Sequence, residues 1–159
     1  MKNDDLRNSA TAAIPPLAGF GARAMAMAID VALLTALHCS FFLVLGYRLV
    51  QSPPAGIFSM IMAAATYLLL FLLAPGLMAM AYSTVLHAWG GQTVGKIFMG
   101  IRVVTVAGQP LSPGIAFLRW VGTIVSGLPL AAGFLWAMVD RNHAAWHDKL
   151  AGTKVIAAA

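Results

Sequence analysis

Glutamate is absent from the chain, and only five aspartates supply negative charge. Charged residues make up 9% of the sequence, against about 25% in an average soluble domain. Apolar residues make up 60%, so most of the chain cannot face water. A single cysteine, Cys39, excludes an internal disulfide. These shortages argue against a water-soluble enzyme and for a protein embedded in a membrane.

Positive charge is in excess, because ten lysines and arginines give a formal net charge of +5. Such an excess can indicate nucleic-acid binding, but here the basic residues flank apolar runs. That placement is typical of contact with anionic lipid head groups and of topology control. We therefore expect the lipid bilayer as a partner and no nucleic acid.

Two apolar segments are each long enough to cross a bilayer, which takes about 20 helical residues. The first runs from Gly19 to Tyr47, after a polar and then Ala- and Pro-rich arm over residues 1–18. The second runs from about Ala55 to Trp89. We predict one long helix there, kinked near Pro75, because two helices in that length would each be too short.

A third apolar segment, Gly114 to Val139, is interrupted at residues 127–129 by Gly-Leu-Pro. Ser112 and Pro113 are a typical helix start, with serine as the cap and proline at the first position. The connection over residues 90–113 is predicted to face water and to contain a short strand, Ile101–Val106. A second β-branched run, Thr153–Ile156, is predicted to pair with it.

Counting basic residues decides between two topologies. If the third segment crosses fully, six basic residues lie on the side of the N-terminus and four on the other side. If it turns back at its interruption, nine lie on the side of the N-terminus and only Arg48 lies opposite. The positive-inside rule favours the second arrangement, and three full spans remain the alternative.

The predicted fold is therefore an all-α membrane protein over residues 19–157. It has two long transmembrane helices, a third broken or re-entrant apolar segment and a small cytoplasmic β pairing. We expect a multi-pass protein of a bacterial inner membrane with its N-terminus in the cytoplasm. Two spans do not enclose a pathway, so we expect a homo-oligomer or a place in a larger membrane complex.

Asp30 is the one acidic residue inside an apolar run. A carboxylate in a bilayer costs about 2.5–3.5 kcal/mol on insertion scales, so it should face protein or a wet cavity. Arg23 lies seven residues earlier, on the same helix face. Two interpretations stay open: a proton or cation site at Asp30, or a structural ion pair of Asp30 with Arg23 or Arg119.

Other candidate sites are weaker. Residues 90–97 nearly match a phosphate-binding loop, but Ile97 stands where Ser or Thr should bind magnesium, and no strand precedes it. We expect its glycines to form a tight exit from the second helix, with Lys96 at the lipid head groups. Four residues near the C-terminus are of types that can bind a metal ion, but we interpret them as interfacial polar groups and helix caps: Asp140, His143, His147 and Asp148. His38 and His87 are single histidines in apolar runs, and we interpret them as packed side chains. No cofactor, metal or catalytic residue is expected.

The chain resembles the RDD family of bacterial membrane proteins, named for one arginine and two aspartates. The resemblance covers about residues 17–157. It assigns the arginine and first aspartate of the first helix to Arg23 and Asp30, a later arginine to Arg119, and the second aspartate to Asp148. Two further motifs carry it: Gly91, Gln92, Thr93, Gly95 and Lys96; His147, Gly152 and Thr153. The stretch from His143 to Trp146 departs from the family's more basic, glutamine-rich pattern.

The resemblance implies a small transporter or transporter-like protein, since members are thought to move a solute and some look like cation/proton antiporters. We expect cation or proton exchange through Asp30. The alternative is an accessory or assembly subunit packed against a larger membrane complex, which the many small residues fit equally well because they allow close helix approach.

Overall fold

Two long apolar helices form the body of the chain in the computed structural model, which describes residues 15–158. Both are long and apolar enough to cross a membrane, and the second continues through Pro75, as predicted. Most of the predicted polar arm lies outside the described residues. The elements in chain order are α1 (Phe20–Gln51), α2 (Ile57–Gly90), α3 (Val94–Phe98), β1 (Ile101–Thr105), α4 (Pro113–Gly127), α5 (Ala132–Val139), α6 (Trp146–Leu150) and β2 (Thr153–Ala157).

The third apolar segment is broken, as its Gly-Leu-Pro interruption predicted. Helices α4 and α5 meet at an angle of 96°. Leu130 and Ala131 take positive φ values of 51° and 63° at the break, a left-handed conformation that bends the chain sharply. Ser112 caps α4 by accepting a hydrogen bond from the Ile115 amide at 3.3 Å, with proline at the first helical position.

The two predicted strands pair as an antiparallel sheet in which Val103 lies opposite Val155. Residues before α1 join the same sheet: Leu17 forms a bridge with Ile156, and the Ala18 amide donates to the Val155 carbonyl at 2.9 Å. The start of α1 and the C-terminal strand therefore lie at the same end of the molecule.

The connection after α2 was predicted to face water, and for its first part that prediction is wrong. Thr93 and Gly95 are buried, because α3 packs directly against α1. A methyl group at Gly95 would lie 2.0 Å from the carbonyl oxygen of Ala26. This contact needs glycine, since no side chain fits between the two backbones.

The apolar core lies where the sheet meets the start of α1 and α4. It contains Ala18, Ala26, Ile101, Val103, Leu111, Ala116 and Val155. Farther along, α1 and α2 expose large apolar side chains such as Leu43 and Leu72, which suits contact with lipid tails. The fold thus combines a packed, partly polar end with two helices that extend from it.

Candidate functional site

Asp148 is the centre of a buried ionic cluster at the packed end. It is the third residue of α6, and its Oδ2 accepts a hydrogen bond from the Ala145 amide at 2.9 Å, which caps that helix. Arg23 from α1 donates to Oδ2, and Arg119 from α4 forms an ion pair with Oδ1. The carboxylate has no exposed surface. Burial raises the pKa of Asp148, but the charges of Arg119 and the other cations outweigh burial and hold the pKa well below its usual range.

The two arginines tie further elements to this carboxylate. Arg23 also donates to the carbonyl of His143, and Arg119 donates to the hydroxyl of Thr153 at the start of β2. Through its two arginines, the Asp148 carboxylate therefore connects α1, α4, α6 and β2. It neutralises only one of the two guanidinium charges that contact it.

Asp30 has a different kind of environment. Its Oδ1 accepts hydrogen bonds from the Tyr82 hydroxyl at 2.6 Å and the Gly95 amide at 2.8 Å, and its Oδ2 accepts one from the Thr93 hydroxyl at 2.5 Å. The Tyr82 oxygen in turn accepts from the Val94 amide at 3.0 Å. All three donors to the carboxylate are neutral groups.

The ion pair of Asp30 with Arg23 or Arg119, one of the two interpretations of the sequence, does not form among residues 15–158. Both arginines contact Asp148 instead. Arg23 and Asp30 do lie on one side of α1, as their spacing predicted, since both line the same cavity. The two aspartates thus have separate partners: Asp148 contacts the cationic arginines, and Asp30 accepts hydrogen bonds from neutral groups.

A cavity of about 260 Å³ is lined by residues of all six helices and of β2. Its walls combine apolar side chains with a group of ionisable and polar ones. The polar lining residues are Arg23, Asp30, Tyr82, Ser83, His87, Thr93, Lys96, Arg119, Thr123 and His147. An internal space with this many hydrogen-bonding groups suits a polar ligand or water.

Lys96 lines this cavity, a contact that the sequence did not predict beyond placing Lys96 near the lipid head groups. Within the described part of the chain its ammonium group makes no hydrogen bond or ion pair. Burial, followed by the nearby charge of Arg119, lowers the pKa of Lys96 to about 7, and the carboxylate of Asp30 opposes this shift only in part. When protonated, Lys96 is thus a cation without a bound counter-ion among residues 15–158.

His87 also lines the cavity, and sequence reasoning treated it as packing. Its Nδ1 lies 2.7 Å from the Ser83 carbonyl. Because a carbonyl only accepts, we assign the ring proton to Nδ1, which leaves Nε2 as an acceptor. Among the described residues, Nε2 is buried without a hydrogen-bond partner.

The other motif residues shape the site from outside the cavity or at its rim. Gly91 ends α2 with a φ of +68°, and a methyl group there would lie 2.3 Å from the Val103 carbonyl. Gln92 donates to the Ile101 carbonyl at 2.9 Å, which ties the connection to β1. Gly152, with a φ of +60°, forms the turn from α6 into β2.

His147 packs against Ser126 in α4. Its amide donates to the Ser126 hydroxyl at 3.1 Å, and its Nδ1 lies 3.3 Å from the same oxygen. Burial, followed by the charge of Arg119, lowers the pKa of His147 to about 3, so the ring is neutral. Asp140 instead forms an ion pair with Lys149 at 2.6 Å, and within residues 15–158 no cluster of metal-ligating side chains forms.

Sequence reasoning missed Tyr82 and Ser126. A tyrosine hydroxyl or a buried serine in an apolar run needs a hydrogen-bond partner, and that signal could have marked both residues. It could not have named Asp30 and His147 as their partners, because the residues of each pair lie on different helices.

The model of the RDD family matches residues 17–152. The chain belongs to the RDD family. No curated protein and no solved structure matches it. The RDD arginine and second aspartate, as the resemblance assigns them to Arg23 and Asp148, are direct partners in the structure. The first aspartate, Asp30, lines the same cavity as Arg23 but forms no ion pair with it among the described residues.

Proposed function

We propose that this RDD protein is a small membrane transporter or transporter-like protein in which Asp30 binds an exchangeable proton or cation. The observation that carries the proposal is the position of Asp30 in the cavity wall, bound by three neutral donors and by no arginine among the described residues. A carboxylate inside an apolar segment that is not neutralised by a fixed cation is a typical functional group of membrane proteins.

The contrast between the two aspartates supports Asp30 over Asp148 as the exchanging group. Asp148 is held by two guanidinium groups, and its protonation would leave both without their counter-ion. At Asp30 the donors include the hydroxyls of Tyr82 and Thr93, which can donate or accept. The carboxyl can therefore gain a proton or a cation while these hydroxyls reorient, without the separation of a buried ion pair.

A pathway across the membrane requires more than one copy or a partner protein. The chain offers two long helices and one bent pair, which are too few to surround a continuous pore. The most apolar window of α2 has no buried residue within the chain, so this helix is available for contact with lipid or with another protein. The same observation suits the second candidate function, an accessory subunit of a larger membrane complex.

Reconstitution tests the proposal. Purified protein in liposomes that contain a pH-sensitive dye should change the internal pH when a gradient of Na⁺, K⁺ or protons is applied, and empty liposomes should not. Absence of flux under all of these gradients, together with co-purification in a defined larger complex, would support the accessory function instead. Ion flux through a homo-oligomer without partner proteins would contradict the accessory function.

A further inference from the structure

The ionisable groups around the cavity carry an excess of positive charge. Among the described residues around it, Arg23, Arg119 and Lys96 are cationic when protonated, and Asp30 and Asp148 are the acidic groups. Asp148 contacts both arginines, and Asp30 accepts hydrogen bonds from neutral groups. A buried cation without a counter-ion is costly, so this end of the cavity is suited to an anion.

The lining of the cavity also has an apolar side. Met27, Val31 and Leu34 of α1 form part of its wall. Met27 and Val31 are 45% and 53% exposed, so the apolar wall continues onto the outer surface of α1, which faces lipid in a membrane. A ligand with an anionic end and an apolar remainder matches both parts.

The location of the cationic groups narrows the class of ligand. Lys96 follows the end of α2, and Arg23 lies in the first turn of α1, so both lie near helix ends, at the level where head-group phosphates are found. Lysine is a common phosphate ligand in proteins. The neighbouring His87 Nε2 is an acceptor without a partner in the described chain, and it can accept a hydrogen bond from the hydroxyl of a head-group alcohol.

We propose that Lys96, supported by Arg119, binds a phosphate group in this cavity, supplied by the head group of an anionic lipid. Free inorganic phosphate offers the same chemistry and is the other source. This inference uses the same cavity as the proposed function but does not depend on transport. A lipid can bind to a protein without flux, and flux can occur without this site.

Binding should be accompanied by proton uptake on Lys96. A bound phosphate favours the charged ammonium, whereas the empty cavity disfavours it. The groups that face Lys96 are Arg23 and Asp30 from α1, Tyr82 and His87 from α2, Arg119 from α4, and His147 and Asp148 from α6. Because neighbouring cations hold Asp148 ionised, Lys96 is the residue expected to take up the proton.

Thermal unfolding of delipidated protein in a neutral detergent tests the site. Phosphatidylglycerol should raise the midpoint by at least about 3 °C, and phosphatidylcholine with the same acyl chains should not. Lys96→Gln should abolish the response, and Lys96→Arg should retain it. Lys154→Gln is the matched control, because it removes one positive charge from a half-buried position outside this cavity.

Inorganic phosphate separates the two sources. If inorganic phosphate, added without lipid, raises the thermal midpoint and this rise depends on Lys96, the site binds phosphate of any origin. If phosphatidylglycerol raises the midpoint and inorganic phosphate does not, the site binds the lipid. Equal responses to the two lipids, an unchanged response in Lys96→Gln, or no response of the wild type would each overturn the proposal. If Lys96→Gln does not fold, proton uptake by the wild type at pH 8 on addition of phosphatidylglycerol decides, and its absence rejects the site.

Discussion

Arg23, in the first turn of α1, forms an ion pair with Asp148, which lies 125 residues later in α6. The contact joins the first membrane helix to the C-terminal part of the chain. Arg119 contacts the same carboxylate from α4. Because these three side chains come from three helices, the cluster fixes how the broken third segment packs against α1.

Asp148→Asn should strongly destabilise the protein. Asparagine keeps the hydrogen bond to the Ala145 amide, but it leaves the buried Arg119 and the half-buried Arg23 without a counter-ion. Loss of one member of a buried ion pair costs about 3–5 kcal/mol. The measurement is the yield of folded protein after purification, together with its thermal midpoint.

Asp140→Asn is the matched control for this change. It removes the same charge from an ion pair with Lys149, whose side chain is 48% exposed, so it should alter stability little. Neutral residues at Arg23, Arg119 and Asp148 together should restore the yield. Equal behaviour of the two asparagine variants would contradict the structural role of Asp148.

Gly95→Ala should separate α3 from α1, because the added methyl group would lie 2.0 Å from the Ala26 carbonyl oxygen and 3.0 Å from the Asp30 carboxylate. We expect a loss of several kcal/mol, comparable to severe overpacking. Gly90→Ala is the control, since a methyl group there meets no atom within 4 Å and alanine favours a helix. A thermal midpoint of Gly95→Ala equal to that of Gly90→Ala would show that the two backbones are not in contact.

Much of the fold could be predicted from local sequence. Apolar run length gives α1 and α2, the Gly-Leu-Pro interruption gives the break between α4 and α5, and β-branched runs give the two strands. The packing of α3 on α1 could not be predicted, because a five-residue helix has no periodic signal and its anchor is a glycine. The exact register, with Val103 opposite Val155, could not be predicted either, because β-branched runs indicate strands but not which residues face each other.

The candidate site was only partly predictable. The residues Arg23, Asp30, Arg119 and Asp148 stood out because charge in an apolar context is costly. The ion pairs that these residues form could not be predicted. Spacing along α1 suggests Asp30 as the partner of Arg23, whereas in the folded chain Arg23 pairs with Asp148. Lys96 was expected at the membrane surface because nothing local indicates that α3 turns it toward the cavity.

Both ends of the described chain should be accessible from the same side of the membrane. The bridge of Leu17 with Ile156 places them together, and from the positive-inside rule we expect that side to be the cytoplasm. Pro15→Cys and Ala158→Cys, made in a Cys39→Ala background, should react alike with an impermeant thiol reagent in sealed vesicles. Ala55→Cys, between α1 and α2, should show the opposite accessibility. Different sidedness of the two end positions would restore three full spans.

Lys96 should make stability depend on pH. Its pKa is about 7 in the folded protein, against an ordinary value of 10.5. Between these values the unfolded chain binds one proton more, so stability should rise with pH by at most about 1.4 kcal/mol per unit. Thermal unfolding in a neutral detergent without anionic lipid should show this rise from pH 7 to 10, and Lys96→Gln should flatten it. A flat profile for the wild type would contradict the burial of Lys96.

The most direct test of the central claim is ion flux through Asp30→Asn in liposomes. Asparagine can keep all three contacts of Asp30: its Oδ1 accepts from Tyr82 and Gly95, and its Nδ2 donates to the Thr93 hydroxyl after that hydroxyl reorients. The variant should therefore accumulate and unfold like the wild type, yet move no proton or cation. Asp140→Asn should transport normally in the same assay. A stable Asp30→Asn protein with unchanged flux would show that Asp30 does not carry the transported ion.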